Sequence, residues 1–223
     1  MVFKSRSDAG RLLGEQVARL SGWTGSRAPR AVVGIPGGGI PVAYEVARYL
    51  KVPLDIVLVR RITAPGNPEL TIGAVSEDGA VVSADTFLSR FAPQRPRLSE
   101  LARETEDWLS RRASLLRGGH APVDPTVGDV VLVDDGMVTG ATMRAAVASL
   151  RHRGAVGMVL AVPVAAPRAL HRLRPLVDET VCPDVRDIHT VGAWYLDHRP
   201  IPDTEIGELL KASRTTRDPR CAA

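Results

Sequence analysis

Short runs of aliphatic and β-branched residues alternate along the chain with longer segments whose apolar positions recur every three to four residues. Unbroken or alternating apolarity reads as a strand, and a 3.6-residue period reads as a helix with one buried face. Five runs predict strands, at 31–35, 55–60, 130–134, 156–164 and 177–182. They are apolar almost throughout, as parallel strands covered on both faces are. Helical spacing falls between and around them at 8–20, 41–50, 98–117, 142–153 and 167–173, with Pro41 and Pro167 in first turns, where a missing N–H costs nothing. Strand and helix in alternation predict an α/β chain: an open, doubly wound parallel sheet with helices on both faces. Two stretches, 63–69 and 118–128, are rich in turn formers and predict loops. The last eleven residues, 213–223, show no apolar period and predict a frayed tail, leaving a single domain over 1–212.

With 223 residues and 44% hydrophobic content the chain can build a full core, which excludes disorder and fibre. The two cysteines, Cys182 and Cys221, are too few and too far apart for a disulfide or zinc framework, which fits a reducing cytoplasm. The longest nearly uncharged apolar stretch, 158–167, falls well short of the roughly 20 residues of a membrane-spanning helix, so no span is expected. Charges at Lys4, Arg6, Arg11, Glu15 and Arg19 interrupt the first twenty residues, unlike a secretory signal. A cytoplasmic protein follows. The net charge of +4 arises from 26 arginines and 3 lysines spread along the chain. Such a surface suits phosphorylated small molecules or nucleic acid without choosing between them. Aromatic content of 4% argues against a stacking platform for single strands.

The most informative segment is Val130-Val-Leu-Val-Asp-Asp-Gly-Met-Val-Thr-Gly-Ala-Thr142. It joins an apolar strand, two acids at its carboxyl end, and a Gly/Thr-rich turn that enters a helix. Residues 136–142 (Gly136, Met137, Val138, Thr139, Gly140, Ala141 and Thr142) can direct N–H groups, hydroxyls and the positive end of a helix at a phosphate. Asp134 and Asp135, placed just before, can accept hydrogen bonds from a vicinal diol or hold the water shell of Mg²⁺. Phosphate plus diol describes a ribose 5-phosphate. A nucleotide P-loop is excluded, because no Gly-Lys-Ser/Thr follows. This segment resembles the phosphoribosyl pyrophosphate signature of the type I phosphoribosyltransferases.

The resemblance implies that family's fold, with a small hood at 183–202 and a mobile catalytic loop at 61–75. Upstream, Pro36-Gly-Gly-Gly39 follows a strand and precedes a helix, and it corresponds to the family's pyrophosphate loop. Gly37 stands where similar sequences carry an arginine, a departure that removes a charge. In the 61–75 stretch, the run Pro-Gly-Asn-Pro-Glu resembles a bacterial subgroup. Arg60 or Arg61 could neutralise pyrophosphate, and Glu69 could bind metal or take a proton from the acceptor. Trp194 and Tyr195 either stack on a planar acceptor or pack in the core; both readings stay open. His189 and His198 match no metal triad and receive no role. Transferases for 6-oxopurines in this family place an acid three residues after the second motif acid, where this chain has Val138, so the acceptor is expected to be another base, an amide or an amine.

The implied function is Mg²⁺-dependent transfer of ribose 5-phosphate from phosphoribosyl pyrophosphate to a nitrogen acceptor, with pyrophosphate released. Dimers are common among similar proteins, so a homodimer is expected, with neither membrane nor nucleic acid as partner. The rival reading is a regulatory protein that senses phosphoribosyl pyrophosphate and contacts nucleic acid.

Overall fold

The computed structural model describes residues 2–20, 28–64, 67–83 and 95–215. Helix α1 (Arg6–Ala18) starts where Ser5 Oγ accepts a hydrogen bond from the Asp8 N–H at 3.2 Å. Then come β1 (Pro29–Gly34), α2 (Gly39–Leu50), β2 (Leu54–Ile56) and an antiparallel group, β3 (Val59–Ala64), β4 (Asn67–Ser76) and β5 (Val81–Ser83). The long α3 (Arg95–Leu116) leads to β6 (Asp129–Val133), α4 (Ala141–His152), β7 (Met158–Ala161), β8 (Val164–Ala165) and α5 (Pro167–Leu173). After β9 (Glu179–Val181) and β10 (Asp184–Val185), the chain ends its described course in α6 (Asp203–Thr215).

The central sheet has the order β2-β1-β6-β7-β9, and every pair in it is parallel. Its alternating side chains feed two cores. Val131 and Val133 pack with α1, α2 and α6 on one face, while Val130 and Leu132 pack with α4 and α5 on the other. All five residues of β6 are buried, as a strand covered on both faces must be. The α/β reading holds.

Four expectations are corrected. The stretch 55–60 is not one strand: β2 stays in the parallel sheet, and β3 leaves it from Val59, since Arg60 and Arg61 are exposed and cannot enter a sheet buried on both faces. The loop expected at 63–69 is largely a hairpin, with β3 paired to β4 from Val59↔Ser76 to Ala64↔Asn67. Asn67 and Pro68 begin β4, and Pro65 and Gly66 lie outside the described residues. Residues 156–164 divide into β7 and β8 around Pro163, whose missing N–H interrupts a ladder. The tail expected from Ser213 does not start there. The helix α6 runs through Thr215, Ser213 is buried, and its Oγ accepts the Leu54 N–H at 3.1 Å; residues 216–223 lie outside the described residues. Among the described residues no helix is long and apolar enough to cross a membrane.

Candidate active site

The strands β1 and β6 lie side by side, yet the chain leaves β1 for one edge of the sheet and β6 for the other. In open parallel sheets such a reversal leaves a crevice at the carboxyl ends. Into it β1 delivers Pro36, Gly37, Gly38 and Gly39, and β6 delivers Asp134, Asp135 and the turn 136–142. A Cβ on Gly38 would lie 1.7 Å from Asp135 Oδ2, and one on Gly39 would lie 2.8 Å from Asp134 Oδ1. Only glycine lets the acids rest against the loop this closely. Gly37 differs, with φ at +104° and nothing within 4 Å of a built Cβ, so the loop is open on its outer side.

The two acids are held differently. Asp134 Oδ1 accepts the Asp135 N–H at 2.8 Å. Burial, reinforced by the negative charge of Asp135, pushes the Asp134 carboxyl well above the usual carboxylate range. Asp135 Oδ2 accepts from Arg6 Nε at 2.9 Å and lies 3.7 Å from His198 Nε2. The Asp135 carbonyl accepts from the Tyr195 hydroxyl at 2.5 Å.

Tyr195 is therefore not an acceptor platform. It is buried, its ring centroid stands 5.6 Å from that of Phe3, and its hydroxyl is committed to the backbone beneath the acid pair. Burial pushes its phenol upward in pKa. Trp194 is half-buried, with the Arg186 guanidinium 4.7 Å over its ring.

The turn 136–142 divides into frame and opening. The Met137 side chain is buried, its N–H donates to Val164 at 3.0 Å and its carbonyl accepts from Ala166 at 2.8 Å, so Met137 anchors the turn and offers no donor. A Cβ on Gly136 would meet Val191 at 2.8 Å, and Val138 packs against the core. The opening is the start of α4. Gly140 provides no side-chain cap, the Ala141 N–H reaches the exposed Thr139 Oγ1 only at 3.4 Å, and Thr142 is half-buried in the first turn. Such a helix end suits an anion.

Arg60 does not join the acid pair: its guanidinium lies 5.2 Å over the Trp108 ring, with Arg112 at 5.3 Å from the same ring. Arg61 is exposed at the next position of β3 and so faces the other side of that sheet. The backbone of Glu69 lies in β4, and its side chain lies outside the described residues. Among the described residues no three acidic, histidine or cysteine side chains gather as a metal cage. Mg²⁺ needs no such cage, because it takes one or two carboxylates and completes its shell with water and substrate phosphate. Asp134 and Asp135 fit that role. Reasoning from sequence missed Arg6 and His198, whose shared partner Asp135 is far from both along the chain.

A family profile described as "Phosphoribosyl transferase domain" matches residues 9–197. The chain belongs to the phosphoribosyl transferase family. Two Mycobacterium tuberculosis proteins, from strains CDC 1551 / Oshkosh and ATCC 25618 / H37Rv, each bear the name "Putative phosphoribosyl transferase" and are 37% identical to it over 218 residues. The alignment takes in 97% of this chain and 48% of each relative, so the chain spans about half their length. The crystal structure of TT1426 from Thermus thermophilus superposes with a TM-score of 0.80 at 42% identity, covering 94% of this chain and 98% of that one.

Proposed function

We propose that this chain binds phosphoribosyl pyrophosphate across the ends of β1 and β6 and transfers its ribose 5-phosphate to a nitrogen acceptor, releasing pyrophosphate. The observation that carries the reading is the fit of the glycine loop onto the acid pair: Gly38 and Gly39 touch Asp135 and Asp134, while Gly37 faces open space. One crevice thereby offers carboxylates for the ribose diol, N–H groups of the 37–39 loop for a departing pyrophosphate, and the start of α4 for the 5-phosphate. Asp134 and Asp135 would hold Mg²⁺, which would supply positive charge at the leaving group. The protein's own part is to hold the sugar by its hydroxyls, fix the 5-phosphate, and present fixed dipoles where negative charge develops as the bond to C1 breaks. No covalent nucleophile is required. Glu69, on the β3–β4 hairpin, is our candidate for the group that takes the acceptor's proton, and Arg61 for added charge at the pyrophosphate. Trp194 remains the candidate ring for a planar acceptor. A homodimer in the cytoplasm completes the reading.

The test is incubation of the purified chain with phosphoribosyl pyrophosphate, Mg²⁺ and a panel of bases, amides and amines, following pyrophosphate release and phosphoribosylated product by mass. Transfer to one acceptor is expected, with hypoxanthine and guanine poor, since Val138 offers no hydrogen bond to a purine. Asp134→Asn with Asp135→Asn should abolish substrate binding in calorimetry. Retardation of nucleic acid without any product would replace transfer with sensing.

A further inference from the structure

Arg6 is the first residue of α1, where a cation opposes the helix dipole, and it is only 7% exposed. Stability does not ask for such a residue, because buried ion pairs are often replaced by apolar side chains without loss. Its bonds are directional. Nε donates to Asp135 Oδ2 at 2.9 Å, Nη1 donates to the Arg199 carbonyl at 2.8 Å, and the guanidinium lies 5.7 Å over the Tyr195 ring. The Nε bond runs directly beside Gly38, where a Cβ would come 2.6 Å from Nε. Around it, the Phe3 N–H donates to the Trp194 carbonyl at 2.9 Å, the Leu196 N–H to Phe3 at 2.9 Å, and the Asp197 N–H to Lys4 at 3.2 Å. Residues 3–6 are thus stitched to 194–199, and Arg6 carries that seam to the acid pair.

We infer that Arg6 is a positioning residue for sugar binding: it holds one oxygen of Asp135 against the glycine loop, so that the other is presented to a ribose hydroxyl, and it ties that orientation to the 194–199 segment. A carboxylate without this bond rotates about two side-chain torsions, and the hydroxyl contact then has to order it. The inference rests on the reading of Asp134 and Asp135 as the ribose site.

The test compares the affinity of the full chain for phosphoribosyl pyrophosphate with Mg²⁺, for ribose 5-phosphate and for inorganic phosphate. Arg6→Gln should weaken both sugar ligands about tenfold or more, a loss near 1.4 kcal/mol, and change phosphate binding less than about twofold. Arg6→Lys should recover only part of the loss, as an ammonium cannot reproduce two directed bonds; it also carries the test should the glutamine variant not fold. In an Asp135→Asn background, Arg6→Gln should add nothing further, because the two changes remove one interaction. Equal weakening of sugar and phosphate, or a full additional loss in the Asp135→Asn background, overturns the positioning role. Sugar binding that Arg6→Gln leaves intact overturns that role alone. A native chain that binds neither sugar ligand overturns the reading of the site, and this inference with it.

Discussion

At the scale of single residues, the site depends on side chains that are not there. A methyl group at Gly38 would overlap a carboxylate oxygen that cannot retreat, since Asp135 is gripped at that oxygen by Arg6 and at its carbonyl by Tyr195. Gly38→Ala should therefore displace the acid and cost about 1–3 kcal/mol of stability, the range for overpacking. Thermal denaturation should show a fall in Tm of roughly 2–4 °C per kcal/mol, and phosphoribosyl pyrophosphate should no longer bind. Gly37→Ala meets no atom and suffers only backbone strain at positive φ. It should keep the acid pair in place, and a Gly37→Ala protein as damaged in sugar binding as Gly38→Ala would contradict this account.

At the scale of elements, the antiparallel sheet is bound to the parallel one through a buried cation. Arg117, just past α3, donates from Nε to Asp55 on β2 at 2.7 Å and from Nη2 to Glu77, just past β4, at 2.7 Å, while Nη2 also reaches the Ile56 carbonyl at 2.7 Å. Both carboxylates in this group are at most 7% exposed. Arg117→Met should leave two acids buried without their cation and cost about 3–5 kcal/mol in urea unfolding. Arg112→Met, which breaks a half-exposed pair with Asp203, should cost under about 1 kcal/mol. The parallel core was legible because each buried strand is an unbroken apolar run between helical periods; β6 and the acid pair could be placed from thirteen residues. The hairpin was not, since the prolines and glycine in the sequence 65–68 read as a loop and hid the flanks, where Arg60 to Thr63 pair with residues from Thr71 to Val75. Helix α6 had a readable signal in Ile206 and Leu210, one turn apart behind Asp203 and Glu205. Nothing local could reveal that Arg6 meets Asp135, because a side chain's partner across 129 residues is set by packing, not by spacing.

At the scale of the whole molecule, the parallel and the antiparallel sheet should differ in how often they open. Strand β6 has a parallel neighbour on each side and a core on each face, whereas β4 belongs to a three-stranded sheet in which Glu77 must be desolvated to keep its place. Native-state hydrogen exchange should find the amides of Val131 to Val133 opening only with global unfolding, and those of Gly73 to Val75 opening at lower free energy. Similar protection in both would refute the distinction. The contact of Gly38 with the Arg6–Asp135 pair has a consequence of another kind, for how this chain can change over generations. Positions 6, 38 and 135 sit so close that a new side chain at one is admissible only after another has yielded. A larger residue at 38 requires a shorter one at 135, yet shortening 135 strands a buried guanidinium at 6. Every single step away passes through a damaged intermediate, so the three positions are free to drift only together.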